Sequence, residues 1–333
     1  MNTKYPAQSA SFFLIAVSTS QNLALCVRHG LAGFLSGDNG AWTYSEIEIG
    51  DFVSFLYGAR AHNLYRVAGK EAIRSAEKLP PWEPLSFKKG GTEYTFPFRL
   101  HLEPIRKFVE PIVRTEFFYV AENLLLRGGY KKTHFQADQT TLQSVSELGT
   151  VQIDPVIDLA LPTHSAFIPR FTLNPQLISK PEVFRFQEII LQSAIRRHLS
   201  LDANLDSLLY KFPSLNIKAE SVEVLGEKAL TKGHIDLLLK QRTPRGVSLK
   251  VPIEVKTKKG TPNDVAQIRS YMDELGVESP VGILIASDFA KRSTGSAKTH
   301  GVTLVRYQLK GDLRAALTFE EIHKGLSLEV IGH

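Results

Sequence analysis

Apolar positions follow two different regimes along the chain. In the first half they come as short runs and alternations. Phe12-Phe13-Leu14-Ile15-Ala16-Val17 reads as a buried strand, and Phe52-Val53-Ser54-Phe55-Leu56-Tyr57 as a second one that ends at Gly58. Residues 64–69 answer the second run as a hairpin partner. Between the two runs, Leu23, Cys26 and Val27 have helical spacing closed by Gly30, which predicts a short helix over residues 22–30. Pro80-Pro81 breaks the chain, Trp82 opens an extended stretch, and residues 96–102 alternate apolar and polar outside Pro97. The first half is therefore expected to be mostly β with short helices, a small barrel or curled sheet, behind a loose polar tail at residues 1–10.

Residues 148–180 carry Gly149, Pro155, Pro162, Pro169 and Pro175 and read as a connector with little regular structure. From residue 181 the pattern alternates between helix and strand. Pro181 suits the first turn of a helix over residues 181–199. Strands are expected at residues 222–225, 234–240, 251–257, 281–286 and 302–307. Thr261 caps a helix with Pro262 at its first position and Gly276 at its end. A helix joining strands 251–257 and 281–286 makes a right-handed crossover, so this half is expected to be α/β with a mixed sheet flanked by helices. The expected organisation is a first domain at 11–147, a connector at 148–180 and a second domain at 181–325, which suits a length of 333 residues.

Composition narrows the class. The chain is 43% hydrophobic and 22% charged, which disfavours disorder, collagen and coiled coil. No apolar run reaches the ~18–20 residues of a membrane span, and Phe12-Phe13-Leu14-Ile15 lacks the basic flank of a signal peptide. A single cysteine, Cys26, rules out an intramolecular disulfide framework and points to the cytoplasm. The net charge of +6 is spread over both halves, with 16 Lys/Arg against 14 Asp/Glu in residues 1–150 and 24 against 20 beyond. That balance permits a nucleic-acid partner without requiring one.

Candidate chemistry lies in the second half. Strand alternation in Ile253-Glu254-Val255-Lys256 puts Glu254 and Lys256 on one face. Asp236 stands among apolar residues in Gly233-His234-Ile235-Asp236-Leu237, and a hairpin would bring it beside Glu254. Two converging carboxylates make an oxygen-rich site suited to Mg²⁺ or Mn²⁺, and the lysine can orient water or offset phosphate charge. On the expected 181–199 helix, Glu188 falls inside the stripe of Phe184, Leu191 and Ile195, where it needs a partner such as a metal or Lys256. The plainer alternatives are a half-exposed sheet face for Glu254 and Lys256, an edge or turn position for Asp236, and a Glu188 that reaches solvent. His29, His62, His101, His134 and His198 show no metal-ligand spacing.

A helix with Glu188, a strand with Asp236, Glu254-x-Lys256, and a helix with Gln267 in Asp-Val-Ala-Gln-Ile-Arg-Ser-Tyr follow one another. That order resembles the PD-(D/E)xK nuclease superfamily, and most of all the catalytic domain of NucS-like endonucleases, over residues 181–307. The resemblance implies that Asp236 and Glu254 bind a divalent metal, that Lys256 helps the attacking water, and that Glu188 and Gln267 assist. The Pro that precedes the Asp in that superfamily is replaced here by His234-Ile235.

The first half, from Ser11-Phe12-Phe13-Leu14-Ile15 through Gln21-Asn22-Leu23 to His29-Gly30-Leu31-Ala32, looks like the opening of a YTH domain in the PUA/EVE-like group of modified-base readers. Pro80-Pro81-Trp82 and Thr95-Phe96-Pro97-Phe98 are similar to its later segments. That resemblance implies a PUA/YTH-like curled β-barrel with Asn22 on the purine edge, Ser18 at a nearby base contact and Trp82 in an aromatic cage. The other cage position falls on Ala32, a gap that Trp42, in an insertion-like stretch, or Phe34 would have to fill. Without the resemblance, Asn22 reads as a helix cap, Trp82 as a core residue and Trp42 as a surface-loop aromatic. Together the two resemblances imply a modification-dependent, Mg²⁺-dependent DNA endonuclease of restriction or phage-defence type. It would act on double-stranded, base-modified DNA with the base flipped, and as a homodimer when both strands are cut. The alternatives are a sequence-specific restriction endonuclease reading unmodified DNA, a NucS-type mismatch or flap repair nuclease, and a binding module with a degenerate nuclease fold.

Overall fold

The computed structural model describes residues 10–86, 93–112, 133–151, 155–243 and 246–332. The chain divides into two compact units, the first formed by Ala10–Arg185 with Arg314–Thr318 and the second by Phe186–Leu313 with Phe319–His333. No helix among the described residues is long and apolar enough to cross a membrane.

In the first unit the apolar runs become the strands β1 (Phe12–Ala16), β2 (Leu31–Phe34), β3 (Phe52–Tyr57), β4 (Arg60–Ile73), β5 (Phe98–Lys107) and β6 (His134–Ala137). Their order in the sheet is β2-β5-β4-β3-β1-β6. β1 is buried on both faces and runs parallel to β3 and antiparallel to β6, which explains why its sequence is continuously apolar instead of alternating. The β3–β4 hairpin forms as expected. Gly58 and Ala59 both take left-handed backbone angles in a two-residue turn whose twist matches that of the strands. The path is open, with four-residue strands β2 and β6 at its ends, so no closed barrel forms among the described residues. Of the expected barrel or curled sheet, the described residues form an open mixed sheet.

Helix α1 (Ser20–His29) begins two residues earlier than expected and ends at left-handed Gly30. Helix α2 (Asp38–Glu46) occupies the stretch that reads as an insertion loop, and Trp42, 7% exposed, is a buried residue of it. Its indole packs against the His134 ring at 4.5 Å, while His134 bonds the Thr43 hydroxyl and the Glu46 carboxylate, each at 2.9 Å. This buried polar group is internally satisfied, which is the condition for tolerating it in a core. A further helix of this unit, α3 (Gln139–Glu147), is capped by Asp138.

The expected connector belongs largely to the first unit. Ala166–Phe167 pairs with β4, and Arg170–Thr172 lies between Val183–Arg185 and Leu317–Thr318 in a three-stranded sheet. The reason is aromatic. Phe167, Phe171 and Phe184 are buried among one another and Phe98, so this Pro-rich stretch has a core to join. Pro181 therefore does not open a helix. The strand Val183–Arg185 intervenes, and the helix begins only at Glu188.

The second unit is close to its expected form. Strands β7 (Val222–Leu230), β8 (Gly233–Gln241), β9 (Lys250–Lys256), β10 (Gly282–Ala286), β11 (Val302–Leu309) and β12 (Leu326–Gly332) lie side by side in chain order. β9, β10 and β11 are parallel, and the other pairings are antiparallel. Helices α4 (Glu188–Leu199), α5 (Asp202–Leu209), α6 (Pro262–Leu275), α7 (Lys291–His300) and α8 (Phe319–Gly325) accompany the sheet. α6 opens with a capping box in which the Thr261 hydroxyl and Asp264 carboxylate exchange bonds with each other's backbone. Its apolar face, Val265, Ile268 and Met272, packs on Leu284 and Leu304. Gly282 permits that approach, because a Cβ there would lie 2.3 Å from Ile268 Cγ2.

Candidate active site and base cleft

Antiparallel pairing of β8 and β9 matches Leu237 with Ile253, so Asp236 and Glu254 come next in register. The Asp236 carboxylate accepts the Val255 N–H at 2.8 Å. Glu188, the first residue of α4, accepts the Thr257 N–H at 3.2 Å. Two acidic side chains thus hold the backbone on either side of Lys256. Lys256 Nζ lies 2.7 Å from Glu254 Oε1 and 3.6 Å from Glu188 Oε1. Asp236, Glu254, Lys256 and Glu188 therefore converge, as their types and spacing suggested. The expected setting of Glu188 is corrected. It sits in the first turn of α4 with its side chain 38% exposed, since Phe184 is no longer on the same helix.

Electrostatics make the site unusual. Asp236 is pushed up to about 8, first by burial and then by the Glu254 charge. Glu254 is raised by burial, against the pull of Lys256. For Lys256 burial acts downward, but the Glu254 bond and the surrounding carboxylates outweigh it and hold the ammonium above its usual range. Three carboxylates against one ammonium leave two negative charges uncompensated when all are ionised.

Among the described residues no three His, Cys, Asp or Glu side chains form a complete metal cage. Mg²⁺ does not need one, since it commonly takes one or two carboxylates and completes its shell with water and phosphate oxygens. One observation fits such an ion: Glu254 is 2% exposed, and its Oε2 is buried without a hydrogen-bond partner among the described residues. A buried carboxylate oxygen left unpaired is costly, and a cation beside Asp236 would satisfy it.

Gln267 lies on α6, and its amide donates to the Tyr271 hydroxyl at 2.7 Å, which in turn donates to the His234 carbonyl at 2.9 Å. Tyr307, on β11, donates to the Thr257 carbonyl at 2.9 Å. These tyrosines tie α6 and β11 to the strands bearing Asp236 and Lys256. Tyr271 had a local signal, since it stands four residues after Gln267 on one helix face. Tyr307 had none.

In the first unit Asn22 and Trp82 line one cleft of ≈ 510 Å³. The helix cap is Thr19, whose hydroxyl accepts the Asn22 N–H at 3.1 Å, so Asn22 is not the cap. Trp82 is a cleft wall and also a core residue at 6% exposure. Its ring lies over Gly33, where a Cβ would come within 2.5 Å of it. Phe96 stacks on the other ring contact at 5.3 Å and also lines the cleft. Arg99, fully buried, holds this segment by donating to the carbonyls of Leu79, Pro80 and Phe96 at 3.2, 2.7 and 3.3 Å. Ser18 is exposed after β1 and does not line the cleft, and neither do Trp42 or Phe34. Phe96 supplies a second aromatic wall, the contribution expected of Trp42 or Phe34.

No protein-family model and no curated protein matches the chain. Among solved structures it is similar to a repair endonuclease from Pyrococcus abyssi, at 21% identity and a TM-score of 0.23 over 31% of this chain and 44% of that one. EndoMS bound to double-stranded DNA gives 22% identity and a TM-score of 0.21 over 31% and 42% of the two chains. The MspJI restriction endonuclease with a 27-mer oligonucleotide gives 9% identity and a TM-score of 0.20 over 87% and 64%. The chain thus spans less than half the length of the Pyrococcus abyssi endonuclease and of EndoMS.

Proposed function

We propose that the chain is a divalent-metal-dependent DNA endonuclease whose second unit cuts and whose first unit reads a modified base. The observation that carries the cutting role is the buried, unpartnered Glu254 Oε2 beside Asp236 and Lys256 at one strand end. Asp236 and Glu254 would hold Mg²⁺, which supplies Lewis-acid stabilisation of the phosphodiester. Lys256, kept protonated by its carboxylate neighbours, donates toward the attacked phosphate or orients the water. Glu188 fixes Thr257, and so the end of the strand that carries Lys256. Tyr271, bonded by Gln267, holds the strand just before Asp236 through the His234 carbonyl.

The reading role rests on the cleft, which offers two aromatic walls and an asparagine amide for a methylated base flipped out of the duplex. Cutting both strands calls for two such sites and hence a homodimer. The test is cleavage, with Mg²⁺, of one plasmid carrying N6-methyladenine, 5-methylcytosine, N4-methylcytosine or no modification. Cleavage of one modified form alone is expected. Equal cutting of all four would overturn modification dependence, and preferential cutting of an unmodified mismatched duplex would replace it with a repair role.

A further inference from the structure

The cleft of the first unit has a chemical polarity that the resemblance to base readers does not supply. Leu25, Trp82 and Phe96 make its apolar side. Its polar side chains are Gln21, Asn22, Arg28 and Glu83. Among the described residues these four side chains make no hydrogen bond or ion pair with the protein. Asn22 contributes only its backbone N–H to Thr19, and Arg28 only its carbonyl, which accepts from Ile157. Gln21, Arg28 and Glu83 are exposed, so water solvates them and both charges remain available to a ligand that carries a donor edge and an anion. The apolar side fits the planar part of such a ligand.

We propose that Glu83 selects, in this cleft, a nucleobase that presents an exocyclic amino group, and that Arg28 takes the attached phosphate. The proposal rests on the base-reading role given above and names its substrate class. A carboxylate accepts hydrogen bonds and offers none at neutral pH. Adenine, cytosine and guanine each carry an amino donor, as do their N-methyl forms that keep one N–H. Thymine and uracil present two carbonyl oxygens around a single N–H, so Glu83 would face like-signed oxygens. The amides of Gln21 and Asn22 both donate and accept, and so add contacts without imposing this distinction. The volume of ≈ 510 Å³ leaves room for sugar and phosphate beside the base, and Arg28, in the last turn of α1, lines the same cleft.

The experiment measures binding without cleavage. The full chain in EDTA is titrated by calorimetry with dAMP, dCMP, dGMP and dTMP, and then with a short duplex bearing an unpaired adenine or an unpaired thymine. The amino-bearing nucleotides are expected to bind about tenfold tighter than dTMP. Glu83→Gln, which adds a donor, should bring that ratio close to one. Arg28→Ala should weaken all four nucleotides by a similar factor and leave their ratio unchanged. A preference seen with the duplex alone assigns the cleft to a flipped base, and a preference seen with mononucleotides assigns it also to a free nucleotide; both support the selection. No binding of any probe, dTMP bound as well as the others, or an unchanged ratio in Glu83→Gln would overturn it. Because EDTA removes the metal, these outcomes are independent of whether the second unit cuts DNA. Selective binding without cleavage would sink the nuclease reading alone, and cleavage without selectivity would sink this one alone.

Discussion

Asp236→Asn should abolish cleavage and yet make the metal-free protein more stable. The carboxyl ordinarily titrates near 3.8 but is pushed up to about 8 by burial and the Glu254 charge. Its folded value stands above its unfolded one, so its contribution is favourable below pH 4 and is lost as pH rises toward 8. At about 1.4 kcal/mol per unit, the cost at pH 7 has a ceiling near 4 kcal/mol. Titration shared with Glu254 and Lys256, and relaxation of the site, roughly halve that to about 2 kcal/mol. Asn keeps an acceptor for the Val255 N–H and carries no charge, so it should recover most of this amount. For a unit of this size, that is a rise of about 5 °C in the melting temperature at pH 7 in EDTA. The assay is thermal unfolding of wild type and variant in EDTA at pH 4.5, 7 and 8.5. The gain should grow with pH and be nearly absent at 4.5. Mg²⁺ should raise the midpoint of wild type but not that of the variant. A variant equal to or less stable than wild type at pH 8.5, or a gain independent of pH, would refute the account of a strained carboxylate pair.

Three further outcomes follow from the same physics. Lys256→Met removes the ammonium that faces Glu254, so it should lose cleavage and destabilise the fold by about 2 kcal/mol at pH 8, with a smaller loss at lower pH, because burial raises Glu254 and so favours its neutral form once Lys256 is gone; urea unfolding at pH 8 and pH 5 reads this, and equal losses would contradict it. Arg99→Met strands the carbonyls of Leu79, Pro80 and Phe96 and should cost about 3 kcal/mol; Trp82 fluorescence in urea follows the loss, and an unchanged midpoint would show that Arg99 does not hold the segment. Burial lowers His323 to about 4, and both of its ring nitrogens lack hydrogen-bond partners among the described residues, so it favours the fold above pH 6.5 and withdraws that support as pH falls toward 4; His323→Leu should flatten the acid limb of the melting profile, and an unaltered limb would place the acid sensitivity elsewhere.

The parts of the fold legible in the sequence are those written in local periodicity. The β8–β9 hairpin follows from the alternation around Asp236 and Glu254, and α6 from Thr261, Pro262 and Gly276. Glu188 was legible as a residue that needs a partner, but its place was not. Pro181 resembles a helix start, while the preference of Val183 and Phe184 for a strand is decided by distant Phe171 and Phe98. Thr19 and Asn22 are both good capping residues, and only the tertiary position of α1 chooses between them. Trp42 read as a loop residue because α2 has no clear apolar stripe, its buried positions being mostly Gly, Ala, Thr and Ser. α7 was invisible for a similar reason, since only Ser293 and Ala297 are buried along it. The polar constellation of the cleft was illegible in part because Glu83 and Phe96 meet α1 only through the fold.

The central claim is that Asp236 and Glu254 hold a divalent metal beside Lys256 for cutting DNA. Its most direct test is the conversion of modified supercoiled plasmid to nicked and linear forms by purified protein in Mg²⁺ and in EDTA. Wild type should cut only with Mg²⁺, while Asp236→Asn and Lys256→Met, shown by circular dichroism to be folded, should leave the plasmid intact. Cutting by either folded variant, or equal cutting by wild type in EDTA, would contradict the account.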